Sequence, residues 1–141
     1  VYELDIVNNY DERQTFIFTN DTGHKMVIGY YSIQNGGHPQ YIENYQNELQ
    51  HGIQYYWYSI YDGGHQRYIE NYQNGLQHGI QYWWYCIQNG GHQRYIENYQ
   101  NGRRHGIQQY WNLDKSYYTK YIDFYQKMNI ITLYYNDLCF R

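Results

Sequence analysis

The chain has 141 residues, with 13 acidic side chains against 10 basic ones and a formal charge of −3, so it carries no basic footprint for nucleic acid. Aromatic residues make up 22% of it, 23 of them tyrosines, which excludes an intrinsically disordered chain of the usual aromatic-poor kind. The absence of alanine, with abundant Tyr, Ile, Trp and Gly and a single proline (Pro39), argues against helices and for strands joined by tight turns.

In chain order, residues 1–23 form a diverged N-terminal capping repeat, in which Phe18 and Asn20 precede His24 at repeat positions. Residues 24–111 hold three clear units. The string GGHQRYIENYQNG at Gly63–Gly75 returns unchanged at Gly90–Gly102, and a near copy starts at Gly36, a step of 27 residues each time. His24, His51, His78 and His105 form one column and His38, His65 and His92 a second; Tyr41, Tyr68 and Tyr95 form a third, and Trp57, Trp84 and Trp111 a fourth. Residues 112–141 form a diverged C-terminal repeat and cap, where Tyr121–Gln126 mirrors Tyr95–Gln100 after one deletion. Self-similarity at this period means one supersecondary unit stacked on copies of itself.

Within residues 66–92, Arg67–Gln73 is a first strand and residues 74–79 a loop with an Asn-Gly pair. Ile80–Ile87 is a second strand, and residues 88–92 close the unit. Asn-Gly supplies the positive φ angles of a tight hairpin turn. Tandem hairpins give an all-β fold: an elongated antiparallel β-meander of 27-residue hairpin repeats in a single sheet. Gly52, Gly75, Gly79, Gly102 and Gly106, with His51, His78 and His105, are the expected structural turn residues, and Gly79→Val is expected to destabilise the middle hairpin, the more so if Gly79 has positive φ. Alternation places Tyr68, Glu70 and Tyr72 on one face and Ile69, Asn71 and Gln73 on the other. The second strand is bulky on both sides, which leaves open which face is the more buried. About ten strands spaced about 4.8 Å apart span roughly 50 Å, and each column recurs at roughly 10 Å.

Tyr68, Tyr72, Asn74, Gly75, His78 and Gly79 together resemble the MORN repeat, and Tyr41, Tyr45, Asn47, His51 and Gly52 fit the same frame. So do Tyr95, Tyr99, Asn101, Gly102, His105 and Gly106. The longer period and the Asn-Gly-Gly turn are similar to the variant MORN repeat of bacterial antitoxin-like proteins, and to expanded repeat proteins of large DNA viruses that infect amoebae. The chain departs from the pattern at Gln54, Gln81 and Gln108, which stand where MORN repeats carry a glycine, and at Glu48, which replaces the turn glycine. The resemblance implies a protein-binding scaffold, with association with membrane lipid as a second implication.

Catalytic and metal chemistry find little support. Histidines in one column are too far apart to share an ion, whose ligands lie about 2.0–2.1 Å from it, and the two columns fall on opposite rims of the sheet. Each histidine is expected to pack or hydrogen-bond within its own turn, and no metal or other cofactor is expected. Glu43, Glu70 and Glu97 are copies in like surroundings, expected to pair with Arg67 and Arg94 or to face water. Asp114, Lys115 and Asp137 in the tail form no recognisable constellation, so the chain is expected to be non-enzymatic.

The candidate binding residues are the aromatic columns Tyr58 and Tyr85 with Trp57, Trp84 and Trp111, which also supply most of what such a sheet can bury. The expected function is a repeat scaffold for a protein partner. The alternatives are an antitoxin-like or host-factor-neutralising protein binding through its diverged ends, or a membrane-lipid-associated module. Cys86 and Cys139 form no paired motif and there is no secretory signal or bilayer-length apolar run, so a cytoplasmic setting is expected, that of the host cell if the chain is viral. Val1 is not an initiator Met, which leaves open that the chain is part of a longer one.

Overall fold

A computed structural model describes residues 1–8, 13–122 and 131–135. They form fourteen strands: β1 (Tyr2–Asn8), β2 (Gln14–Asn20), β3 (His24–Tyr30), β4 (Pro39–Gln46), β5 (Leu49–Gln50), β6 (Gly52–Trp57) and β7 (Gln66–Gln73), then β8 (Leu76–Gln77), β9 (Gly79–Trp84), β10 (Gln93–Gln100), β11 (Arg103–Arg104), β12 (Gly106–Trp111), β13 (Tyr117–Ile122) and β14 (Ile131–Tyr135). All lie in one antiparallel sheet in the order β1-β2-β3-β4-β6-β7-β9-β10-β12-β13-β14, each strand beside its sequence neighbour, with β5, β8 and β11 as short partners of β4, β7 and β10. The expected β-meander is present. The larger part of the Tyr121–Gln126 copy, together with Asp137 and Cys139, lies outside the described residues.

The second strand of each unit is shorter than expected. β9 ends at Trp84, and Ile87–Asn89 forms a 3-10 turn instead of continuing the strand. The Cys86 carbonyl accepts from the Asn89 and Gly91 N–H groups at 3.0 Å each, which folds the chain back sooner than a ladder could. The 74–79 loop is also more ordered than expected, because β8 pairs with Tyr72 and Gln73 inside it.

This hairpin is therefore split. Near its tip β7 pairs with β8; near its base Tyr68 and Ile69 pair with Trp83 and Tyr82 of β9. Between the two, the backbones of β7 and β9 part and the Gln81 side chain fills the gap. Its Oε1 accepts from the Asn71 N–H at 2.8 Å, and its Nε2 donates to the Asn71 carbonyl at 2.9 Å. Gln54 does the same for Asn44, and Gln108 for Asn98. Gln54, Gln81 and Gln108 thus act as extra peptide units. They are the largest fully buried side chains, Gln54 and Gln108 at 0% exposure and Gln81 at 1%, and no hydrophobic residue is fully buried among the described residues.

A second glutamine column works at the opposite rim. A bulge interrupts pairing where Arg67 and Arg94 are inserted, and there Gln66 Nε2 donates to the Tyr56 and Tyr68 carbonyls (2.7 and 3.1 Å). Gln93 bridges Trp83 and Tyr95 in the same way.

Candidate binding face

The bulges and pairing register bring one ring from each central strand onto a single face. Tyr41 lies over Gly29, where a Cβ atom would stand 2.3 Å from the ring. From there the rings run Tyr41–Tyr56 (6.3 Å between centroids), Tyr56–Tyr68 (4.1 Å), Tyr68–Trp83 (4.7 Å), Trp83–Tyr95 (5.3 Å), Tyr95–Tyr110 (6.2 Å) and Tyr110–Tyr118 (5.0 Å). Tyr68 is stacked on both sides, within 30° of Tyr56 and 12° of Trp83. We call this the ladder face.

Carboxylates lie beside the ladder and are held by phenols rather than by the expected arginines. Glu43 accepts from Tyr56 at 2.6 Å and from Tyr45 at 2.7 Å. Glu97, 4% exposed, accepts from Tyr110 at 2.6 Å and Tyr99 at 3.0 Å and pairs with Arg104 at 2.8 Å. Burial, then the bond to Glu43, holds the Tyr56 hydroxyl far above the ordinary phenol range, and burial with Glu97 does the same for Tyr110. The middle unit differs because Trp83 stands where Tyr56 and Tyr110 stand in its neighbours. Glu70 accepts from Tyr72 at 3.2 Å, and burial raises its carboxyl above the usual range.

Arg67 and Arg94, expected on these glutamates, lie instead over rings. The Arg67 guanidinium is 5.5 Å from the Tyr58 and Tyr68 centroids; that of Arg94 is 5.4 Å from Tyr85 and 6.0 Å from Trp83. Lys120 Nζ is 5.3 Å from Tyr118 and 5.9 Å from Tyr110. An open groove of about 320 Å³ runs along the later part of this face, lined by Tyr85, Arg94, Tyr95, Arg104, Tyr110 and Tyr118 among others.

The residues singled out in the sequence are placed in three different settings. Trp57, Trp84 and Trp111 lie on the opposite face, stacked on Tyr55, Tyr82 and Tyr117 at 5.9–6.0 Å. Tyr58 and Tyr85 leave the strand ends and tie one unit to the next, their hydroxyls donating to the Trp84 and Trp111 carbonyls at 2.9 and 3.0 Å. They do not form one ladder with the tryptophans. Gly52, Gly75, Gly79, Gly102 and Gly106 all have positive φ, between 78° and 86°.

His51, His65, His78 and His92 reach beyond their own turns. His51 and His78 Nδ1 accept from the Asn74 and Asn101 N–H groups of the following unit, at 3.4 Å each. His65 and His92 Nε2 donate to the Tyr85 and Asn112 carbonyls at 2.9 Å. Contacts within the turn are present as well: His38 Nδ1 donates to the Pro39 carbonyl at 2.9 Å, and the His38, His65 and His92 rings lie 5.0–5.2 Å from Tyr31, Tyr58 and Tyr85 of their own turns. His105, in the column of His51 and His78, immediately precedes β12. Among the described residues, no three His, Cys, Asp or Glu side chains gather to hold a metal ion, and no helix is long and apolar enough to cross a membrane.

Sequence reasoning missed the ladder because it followed columns 27 residues apart, which stand two strands apart. Stacking joins adjacent strands, so it interleaves the Tyr41, Tyr68, Tyr95 column with Tyr56, Trp83, Tyr110. The second column was present in the sequence; its register against the first depended on the split hairpin and the bulge. Compared with known proteins, the chain matches no family model, no curated protein and no solved structure.

Proposed function

We propose that the protein is a non-enzymatic repeat scaffold that binds an extended segment of a protein partner along the ladder face. The observation that carries this reading is the ladder itself: seven aromatic rings in an unbroken row, flanked by cations and opening into a groove. Tyr, Trp and Arg are the side chains that most often dominate protein interfaces. The resemblance to MORN repeats supports the same role. The carboxylates along the face are each engaged by phenols, which favours binding over acid–base chemistry.

The test is selection of peptides from a random display library on the intact protein, followed by binding of the enriched peptides to Trp83→Leu and Tyr95→Leu variants that keep the parent's melting transition. Enriched peptides that lose affinity for both variants support the reading. Peptides that bind both variants as well as the parent, or no enrichment at all, overturn it.

A further inference from the structure

Resting on that reading, we infer that the preferred partner segment is acidic and adopts a polyproline II conformation, with a carboxylate at every third residue. The ladder face carries Arg67 on β7 and Arg94 on β10 at the same repeat position, two strands apart, while Lys120 on β13 stands further along its strand, opposite Gln108. Two strand steps measure about 9.6 Å. A polyproline II helix has three residues per turn and rises about 3.1 Å per residue, so residues i, i+3 and i+6 line one side at steps of about 9.3 Å. An extended β-strand repeats a side at about 6.6 Å and falls out of step with the cations.

The chemistry of the row selects the sign of charge. Arg67 and Arg94 are exposed, and their guanidinium groups lie over rings, whereas Glu97 is already matched by Arg104 and two phenols. Glu43 and Glu70 are only partly exposed and are held by phenols, Glu43 by Tyr45 and Tyr56 and Glu70 by Tyr72. The positive groups therefore stand foremost on this half of the face, although the whole chain is negative. At the first unit the row ends, because Gln40 occupies the position of Arg67 and Arg94. Stacking on both sides of Tyr68 covers its faces, so the central ladder offers mainly ring edges, whose partial positive charge suits carboxylate and carbonyl oxygens better than a stacked base or sugar.

The experiment titrates the full chain with labelled peptides: four Glu-Pro-Pro triplets, four Lys-Pro-Pro triplets, and six Glu-Pro pairs, which carry more charge in the wrong spacing. The Glu triplet peptide is expected to bind, the Lys peptide not to bind, and the Glu-Pro pairs to bind more weakly despite their added charge. Arg67→Gln and Arg94→Gln, which install the residue already present as Gln40, are each expected to cost about tenfold in affinity with the melting transition unchanged. Equal or tighter binding of the Glu-Pro pairs, or no loss in either variant, overturns the inference. So does Arg94-dependent binding to phosphatidylserine vesicles without binding to the triplet peptide. If display-selected peptides bind through Trp83 and Tyr95 while the Glu triplet peptide does not bind, only the present inference falls; if neither class binds, the scaffold reading falls with it.

Discussion

Gln81 and Asn71 are joined as two peptide units would be: the side-chain amide of one meets both the N–H and the carbonyl of the other, at 2.8 and 2.9 Å. The Asn71 amide in turn donates to the Ile80 carbonyl, so the gap between β7 and β9 is closed from both sides. Replacing Gln81 with Met keeps most of the volume and strands both backbone groups. The expected loss is about 3 kcal/mol of stability, read from urea unfolding, with the ladder intact in the folded fraction. A loss below 0.5 kcal/mol would mean that water replaces the amide at about the cost of exposure.

Glu48 occupies a left-handed conformation, φ 64°, where the equivalent turns carry Gly75 and Gly102. Its ion pair with Lys25 is exposed and offsets little of that strain. Glu48→Gly is expected to raise stability by about 0.5–1 kcal/mol, and thermal melting checks it. An unchanged or lower melting temperature would show that the ion pair outweighs the backbone.

Gly79 has φ 86°, and the nearest atom to a Cβ built on it is the Asn71 Cβ at 3.7 Å. Space is ordinary there and conformation is not, so Gly79→Val is expected to cost about 2 kcal/mol, while Gly79→Asn recovers a good part of it. Equal melting temperatures for the two variants would point to packing instead of φ.

Burial raises the Glu70 carboxyl, with the Tyr72 bond acting in the opposite direction. A folded-state value above the unfolded one means the folded protein prefers the proton. The contribution to stability is full below the ordinary carboxyl range and is lost as pH rises through the raised value. Glu70→Gln should therefore stabilise the protein at neutral pH and flatten its stability profile above the ordinary carboxyl range. Trp83→Tyr, which restores the phenol that Glu43 and Glu97 enjoy, should bring the Glu70 midpoint back down in NMR titration. An unmoved midpoint would show that the new hydroxyl points elsewhere.

Tyr85→Phe keeps the ring beside His92 and Arg94 and removes only the bond to the Trp111 carbonyl. About 1 kcal/mol of stability should be lost in urea unfolding. Peptide affinity should stay near the parent's, because the hydroxyl is turned into the structure. A variant that melts normally but binds peptides tenfold less tightly would return Tyr85 to the binding set.

The strand-and-turn architecture was legible because its signals are local. Asn74-Gly75 and Asn101-Gly102 announce their turns, and the 27-residue echo announces their repetition. The sides of β7 were legible too, since Tyr68, Glu70 and Tyr72 alternate with Ile69, Asn71 and Gln73. What was not legible depends on relations across strands. Nothing local distinguishes Gln81 as a buried backbone substitute from an exposed polar residue, nor tells that the Arg94 bulge tilts its guanidinium onto Trp83 and Tyr85 and away from Glu97. The sites followed from pairing register, which the split hairpin shifts by a side-chain amide.

The ties between units run to the next copy 20 to 27 residues on: Tyr58 to Trp84, His65 to Tyr85, Gln88 to Tyr61. A duplicated stretch of that length arrives with its own donors and acceptors already matched to those on either side. The molecule is thus able to grow or shrink by whole units through gene duplication or loss, without a new fit having to be found at the junction. Each copy gained would extend the row of rings by two, so that length itself becomes a heritable variable of the binding face.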